Sequence, residues 1–235
     1  MKKIPVISEK IRKKIIGLKR KSHHPLVHHV HKKHKISYKT LLYMKEYGPK
    51  SHVYHVIVKE SLKILVLASL VSSIGGLSLQ SMGSKIVSIL PLLILLPALN
   101  NMIGSYGTII SSKFTTDLYT GKIKSNWWKS EYIHKLFVSI FLISIFSAVY
   151  IGLLSSGIAY IKGFPMTADL AIKILEISLV ATLLLVGIIF TISITLGLHF
   201  YKKQEDPNNF LIPITTSIGD LGSMLVFFLM VGFLF

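Results

Sequence analysis

The stretch FLIPITTSIGDLGSMLVFFLMVGFLF, Phe210 to Phe235, is apolar along its length and carries one charge, Asp220. A helix needs about 20 residues to cross a hydrocarbon core of about 30 Å, so this run is long enough to span a membrane. Asp220 lies about ten residues in, which at about 1.5 Å per residue is roughly 15 Å deep, near mid-bilayer. A charge at that depth is costly and marks function by default. Thr216, Ser217, Ser223 and Pro213 share its helical face, with Gly219 and Gly222 beside it. Leu221, Leu225, Val226, Phe227 and Phe228 occupy the other sides and suit lipid or packing contacts.

Four further apolar runs precede this one: Leu62–Leu79, Ile86–Ile110 with Pro91 and Pro97 inside it, Leu136–Ile161 and Leu170–Phe200. The expected fold is therefore an all-α membrane protein with five transmembrane helices. Of the 235 residues 51% are hydrophobic, too many for an ordinary soluble domain. Two regions are expected: a basic, histidine-rich, partly helical arm over 1–58 and a five-helix transport domain over 59–235. The net charge of +17 is concentrated in the arm and short loops. Several apolar runs near 20 residues exclude a soluble nucleic-acid binder, so nucleic acid is not an expected partner. The chain has no cysteine, which rules out disulfides and thiolate metal sites. The first apolar run starts near residue 61, too late for a secretory signal peptide. No Walker loop, GxSxG elbow, HExxH or dinucleotide fingerprint is present, and no enzyme activity is expected.

Loop charge sets the orientation. The arm is basic, the loop after span two holds Lys113, Lys122, Lys124, Lys129 and Lys135, and the loop after span four holds Lys202 and Lys203. The other connections carry Lys85, and Lys162 with Asp169. A cytosolic N-terminus and an external C-terminus follow, in a multi-pass protein of the cell membrane. Trp127 and Trp128 fit an inner interfacial belt or ordinary packing. In the arm, Ile4, Ile7, Ile11, Ile15 and Leu18 recur among lysines, as in a basic amphipathic helix on anionic headgroups or a solvated tail. A second short helix is expected from Tyr38 to Tyr47. His23, His24, His28, His29, His31 and His34 form a cluster that reads either as a transition-metal site or as a cationic, lipid-binding surface.

Span two carries a second polar stripe: Asn101, Ser105, Thr108 and Ser112, flanked by Asn100, Gly104, Gly107 and Ser111. Alone it fits small-residue helix packing. With Asp220 on another span it fits a shared polar pathway, towards which Pro97 and Pro213 would free carbonyl oxygens. Lys173 and Glu176, one turn apart, suggest a local ion pair. Glu60 suits a helix N-terminus, and Asp117 sits where a cytosolic mouth would open. Three roles fit Asp220: a protonated structural residue, a proton or Na⁺ coupling site, or a ligand of a divalent cation. Mg²⁺ keeps several waters and needs only one or two carboxylates. A two-fold dimer would supply two.

Several motifs carry a family resemblance. Glu205-Asp206-Pro207-Asn208-Asn209, Phe210-Leu211-Ile212-Pro213 and Thr215-Thr216-Ser217-Ile218-Gly219-Asp220 resemble the fifth-helix region of the MgtE magnesium transporters and their eukaryotic solute-carrier relatives. Pro97-Ala98-Leu99 with Gly104-Ser105-Tyr106-Gly107-Thr108 resembles the family's second helix, and Glu60-Ser61-Leu62 its first. The resemblance covers about residues 58–235. It implies a homodimer with an axial pore lined by spans two and five and an ion site at Asp220, with Thr216 at a position that presents a backbone carbonyl. Ser105, Ile212 and Asn208 depart from the family pattern and leave the preferred cation open. The arm is too short and too basic to hold the family's acidic sensor and CBS domains.

The expected function is transmembrane passage of a divalent cation, Mg²⁺ first, by a homodimer. The metal-contacting residues are expected to be Asp220, Thr216, Ser217, Asn101 and Ser105. No cofactor is expected beyond the transported ion, and anionic lipids are expected at the arm. Two alternatives stand beside this: a proton- or Na⁺-coupled carrier of a small solute, and a non-transporting membrane scaffold with a lipid- or metal-binding arm.

Overall fold

A computed structural model describes residues 53–80, 83–123, 130–203 and 205–235. The amphipathic helix, the histidine cluster and the Tyr38–Tyr47 stretch of the arm lie outside the described residues, as do Trp127 and Trp128. The described chain forms α1 (Val53–Gln80), α2 (Gly83–Ser88), α3 (Leu90–Tyr119), α4 (Glu131–Ile161), α5 (Ala168–Lys202) and α6 (Pro207–Leu234). All but α2 contain a segment long and apolar enough to cross a membrane, with the α1 segment at Ser61–Gln80. The five expected spans are therefore present, and the described residues contain no strand.

The helices start and stop where local chemistry allows, which shifts several boundaries from those read off hydropathy. Span two does not begin at Ile86, which lies in the separate helix α2. The Pro91 ring would clash with the Val87 carbonyl in a continuous helix and has no N–H to offer it. The chain breaks at Ile89 (φ −111°, ψ 87°), and Pro91 falls in the first turn of α3, where it is tolerated. At its other end α3 runs past Ile110 to Tyr119. Gly121 stops it at φ 73°, with Gly121 N–H donating to Leu118 O (3.1 Å) and Lys122 N–H to Asp117 O (3.1 Å). That pair of bonds is a Schellman closure. Gly163 closes α4 the same way, at φ 82°, with bonds to Tyr160 O and Ala159 O.

Polar caps extend the later helices upstream of their apolar runs. Thr167 accepts from Leu170 N–H (3.2 Å) at the start of α5. Asp206 accepts from Asn208 N–H (3.0 Å) at the start of α6, with Pro207 following. Such caps satisfy amides that the first helical turn leaves without partners. The α1 helix begins at Val53, so Glu60 lies inside it and not at a helix N-terminus. Lys173 pairs with Asp169 at 2.9 Å, not with Glu176. Asp169 precedes Lys173 by four residues in the first turn of α5, the favoured acid-to-base order along a helix.

Helices α3, α5 and α6 touch pairwise and form the centre. Helix α4 covers α3 and α5, while α1 lies on α6. Burial grades accordingly: 56% of the apolar window of α5 is buried, against 6% of that of α1. The central contact depends on glycine, because lipid offers helices no hydrophobic incentive to associate and close approach must supply it. A Cβ on Gly107 would stand 2.9 Å from Thr215 Oγ1 and 3.0 Å from Thr215 Cβ. A Cβ on Gly219 would stand 3.1 Å from Ile103 Cγ2. Gly107→Ala is expected to lower stability by about 1–3 kcal/mol through overpacking. Gly157→Ala on α4, where nothing lies within 4 Å of the added carbon, is expected to be neutral or slightly stabilising. Thermal unfolding of both variants in one detergent tests the difference.

Candidate functional site

Asp220 and Thr216 sit one turn apart on α6, and they meet α3 across a groove of about 450 Å³ open to the outside of the protomer. From α3 the groove receives Pro97, Asn100, Asn101, Gly104, Ser105 and Thr108. The two polar runs singled out in the sequence, one on span two and one on span five, thus come together at Asp220. Gly104 opens the floor: a Cβ there would already touch Thr216 Cγ2 at 3.6 Å.

The hydroxyl protons of the α3 stripe are directed inward. Ser105 Oγ donates to Asn101 O (2.8 Å), and Thr108 Oγ1 to Gly104 O (3.2 Å). With their protons on the helix backbone, these oxygens keep lone pairs for water or a cation. The rest of the stripe turns elsewhere. Ser111 lies in the interior, where its hydroxyl meets those of Thr215 (3.4 Å) and Ser193 (3.5 Å). Gly107 closes on Thr215. The face drawn around Asp220 divides likewise. Ser217 is buried and donates to Ile214 O (3.0 Å), outside the groove lining, as is Pro213. Ser223 is fully buried; its hydroxyl contacts Asn100 Oδ1 and donates to Asp220 O (3.0 Å).

Two residues at the site are not among the expected metal contacts. Asn100, which flanks the span-two stripe, lines the groove and is held from behind by Ser223. Ser72, on α1, donates to Asp220 Oδ2 at 3.0 Å. The signal for Ser72 was present as Ser72 and Gly75 at i, i+3, a small-residue pattern typical of a helix interface. A Cβ on Gly75 would stand 3.0 Å from Leu221 Cα, so α1 and α6 approach closely one turn from this bond.

Asp117 does not reach the groove. It is 3% exposed and pairs with Lys122 at 3.2 Å and Lys113 at 4.0 Å, at the closed end of α3. Lys122 also lies 5.6 Å over the Tyr132 ring and so ties α3 to α4. Among the described residues no three His, Asp or Glu side chains converge on one point. The donor set of the groove is one carboxylate with amide and hydroxyl oxygens. Those are hard ligands, suited to Mg²⁺ or Ca²⁺ and not to soft metals. With so few protein ligands, a cation held here would keep much of its water.

Comparison with known proteins agrees with this chemistry. The family model MgtE, described as a divalent cation transporter, matches residues 96–230, more than half of the chain. No curated protein and no solved structure matches it. The matched region takes in every residue that lines the groove, while Ser72 lies outside it. On that match and its five apolar helices, the chain is a multi-pass membrane protein belonging to the MgtE family of divalent cation transporters.

Proposed function

We propose that the protein conducts Mg²⁺ across the membrane as a homodimer, through an axial pore lined by α3 and α6, with paired Asp220 side chains as the ion site. The observation that carries this reading is the exposure of Asn101, Ser105 and Thr108 beside Asp220 on one protomer. Polar groups are not left facing hydrocarbon when a protein or water surface can cover them. A second copy placed over the groove about a two-fold axis would enclose the stripe and bring two carboxylates to one axis.

Volume supports a hydrated ion. Six waters at about 30 Å³ each occupy about 180 Å³, well within the 450 Å³ that one protomer contributes. Mg²⁺ surrenders its inner waters reluctantly, so one carboxylate oxygen from each Asp220, with most waters kept and water-mediated contacts to Asn101, Ser105 and Thr216, suits it. The membrane potential would drive a double charge inward with about 4.6 kcal/mol per 100 mV, twice the single-charge value. The loop charges favour a cytosolic N-terminus, and the basic arm then meets the anionic leaflet.

In proteoliposomes loaded with a Mg²⁺ indicator, Asp220→Ala is expected to cut uptake by roughly tenfold or more, a factor worth about 1.4 kcal/mol. Unchanged uptake would overturn the site. The dimer is testable separately, because the chain has no cysteine to interfere. Ser105→Cys, on the groove, is expected to give a covalent dimer with a short bifunctional thiol reagent in membranes. Tyr160→Cys, exposed on α4, is expected to remain monomeric. Equal cross-linking at the two positions would contradict the proposed axis.

A further inference from the structure

The contact between α1 and Asp220 extends this reading. The groove lining comes from α3 and α6 alone, and Ser72 is not part of it. Its hydroxyl meets Asp220 Oδ2 at 3.0 Å from α1. Among the described residues the ion pairs are made by Asp117, Glu131 and Asp169, none of them with Asp220. Asp220 is thus oriented by a neutral hydroxyl and not by a cationic side chain of the described residues.

The position of α1 makes this bond specific. The helix is otherwise peripheral, with Leu62, Leu65, Val66, Leu70 and Ile74 exposed. It is brought to bonding distance by Gly75, whose missing side chain lets Leu221 and Met224 close in. Ser72 and Gly75 lie on one face at i, i+3, so the close approach and the hydrogen bond form together.

We propose that Ser72 is a positioning and selectivity residue: by holding Asp220 Oδ2, it presents Oδ1 as the single ligand oxygen and disfavours cations that take a carboxylate through both oxygens. The inference rests on the reading that Asp220 meets the transported ion. Ca²⁺ takes six to eight oxygens and accepts carboxylates in bidentate fashion, whereas octahedral, water-retaining Mg²⁺ is served by one oxygen of a carboxylate. A hydroxyl proton on Oδ2 draws on that oxygen's lone pairs and weakens it as a second ligand. It also fixes the carboxylate plane, so Oδ1 does not have to be ordered when the ion arrives.

The test uses the full chain in proteoliposomes, with Mg²⁺ uptake measured against Mg²⁺ concentration and against added Ca²⁺. Ser72→Ala is expected to weaken apparent Mg²⁺ affinity and to raise the potency of Ca²⁺ inhibition relative to Mg²⁺ by roughly tenfold, the scale of one hydrogen bond to a charged group. Ser72→Thr retains the hydroxyl and is expected to restore both. A Ser72→Ala protein with a reduced maximal rate but an unchanged Ca²⁺-to-Mg²⁺ ratio would overturn the inference, as would a Thr variant that behaves like Ala. Asp220→Ala, run in parallel, separates the two levels. If it abolishes uptake while Ser72→Ala leaves the ratio unchanged, the ion site stands and the role of Ser72 falls. If it leaves uptake unchanged, the ion site itself falls.

Discussion

A carboxylate inside an apolar helix must be given polar company, and Asp220 sets that demand near the middle of α6. Placing such a charge at the centre of a membrane helix costs about 2.5–3.5 kcal/mol on insertion scales. The structure meets the cost from two sides. Ser72 donates to one carboxylate oxygen from α1, and a groove shared with α3 opens beside the residue. Neither would exist if the helices stood at ordinary separation. Gly75 brings α1 in, while Gly107 and Gly219 let α3 and α6 close around the groove.

The same packing sorts the hydroxyls of α3 and α6 into two sets. Ser111 meets the hydroxyls of both Thr215 and Ser193 in the interior, where the contacts join three helices. Asn101, Ser105 and Thr108 stay on the open side. The interior set braces the wall, and under the proposed function the open set would offer oxygens to a hydrated ion. Asp117, with Lys122 and Lys113, serves the first purpose by fastening the end of α3. Rigid walls matter because an ion that keeps its waters is recognised through the spacing of oxygens around it, more than through a dedicated cage.

Much of this was legible in the sequence for physical reasons. Apolar runs of bilayer length gave the five spans, and the cost of burying charge singled out Asp220. Helical spacing linked Asn101, Ser105 and Thr108, and Thr216 followed one turn from Asp220. Helix ends were less legible, since they depend on caps such as Asp206 and Thr167 and on the Gly121 turn, all outside the apolar runs. The direction of each small hydroxyl was not legible. Ser217 shares the approximate face of Asp220 yet is turned into its own backbone. Ser72 bonds to a residue 148 positions away, and that pairing is set by which helices are neighbours.

Two copies of Asp220, facing a common axis, are proposed to hold one divalent cation between them. The direct measurement is anomalous diffraction from crystals of the full chain soaked in Mn²⁺, which takes oxygen ligands much as Mg²⁺ does. A peak is expected on a two-fold axis, in the groove between α3 and α6 and beside both Asp220 side chains. Peaks confined to the arm histidines, with none beside Asp220, would contradict it.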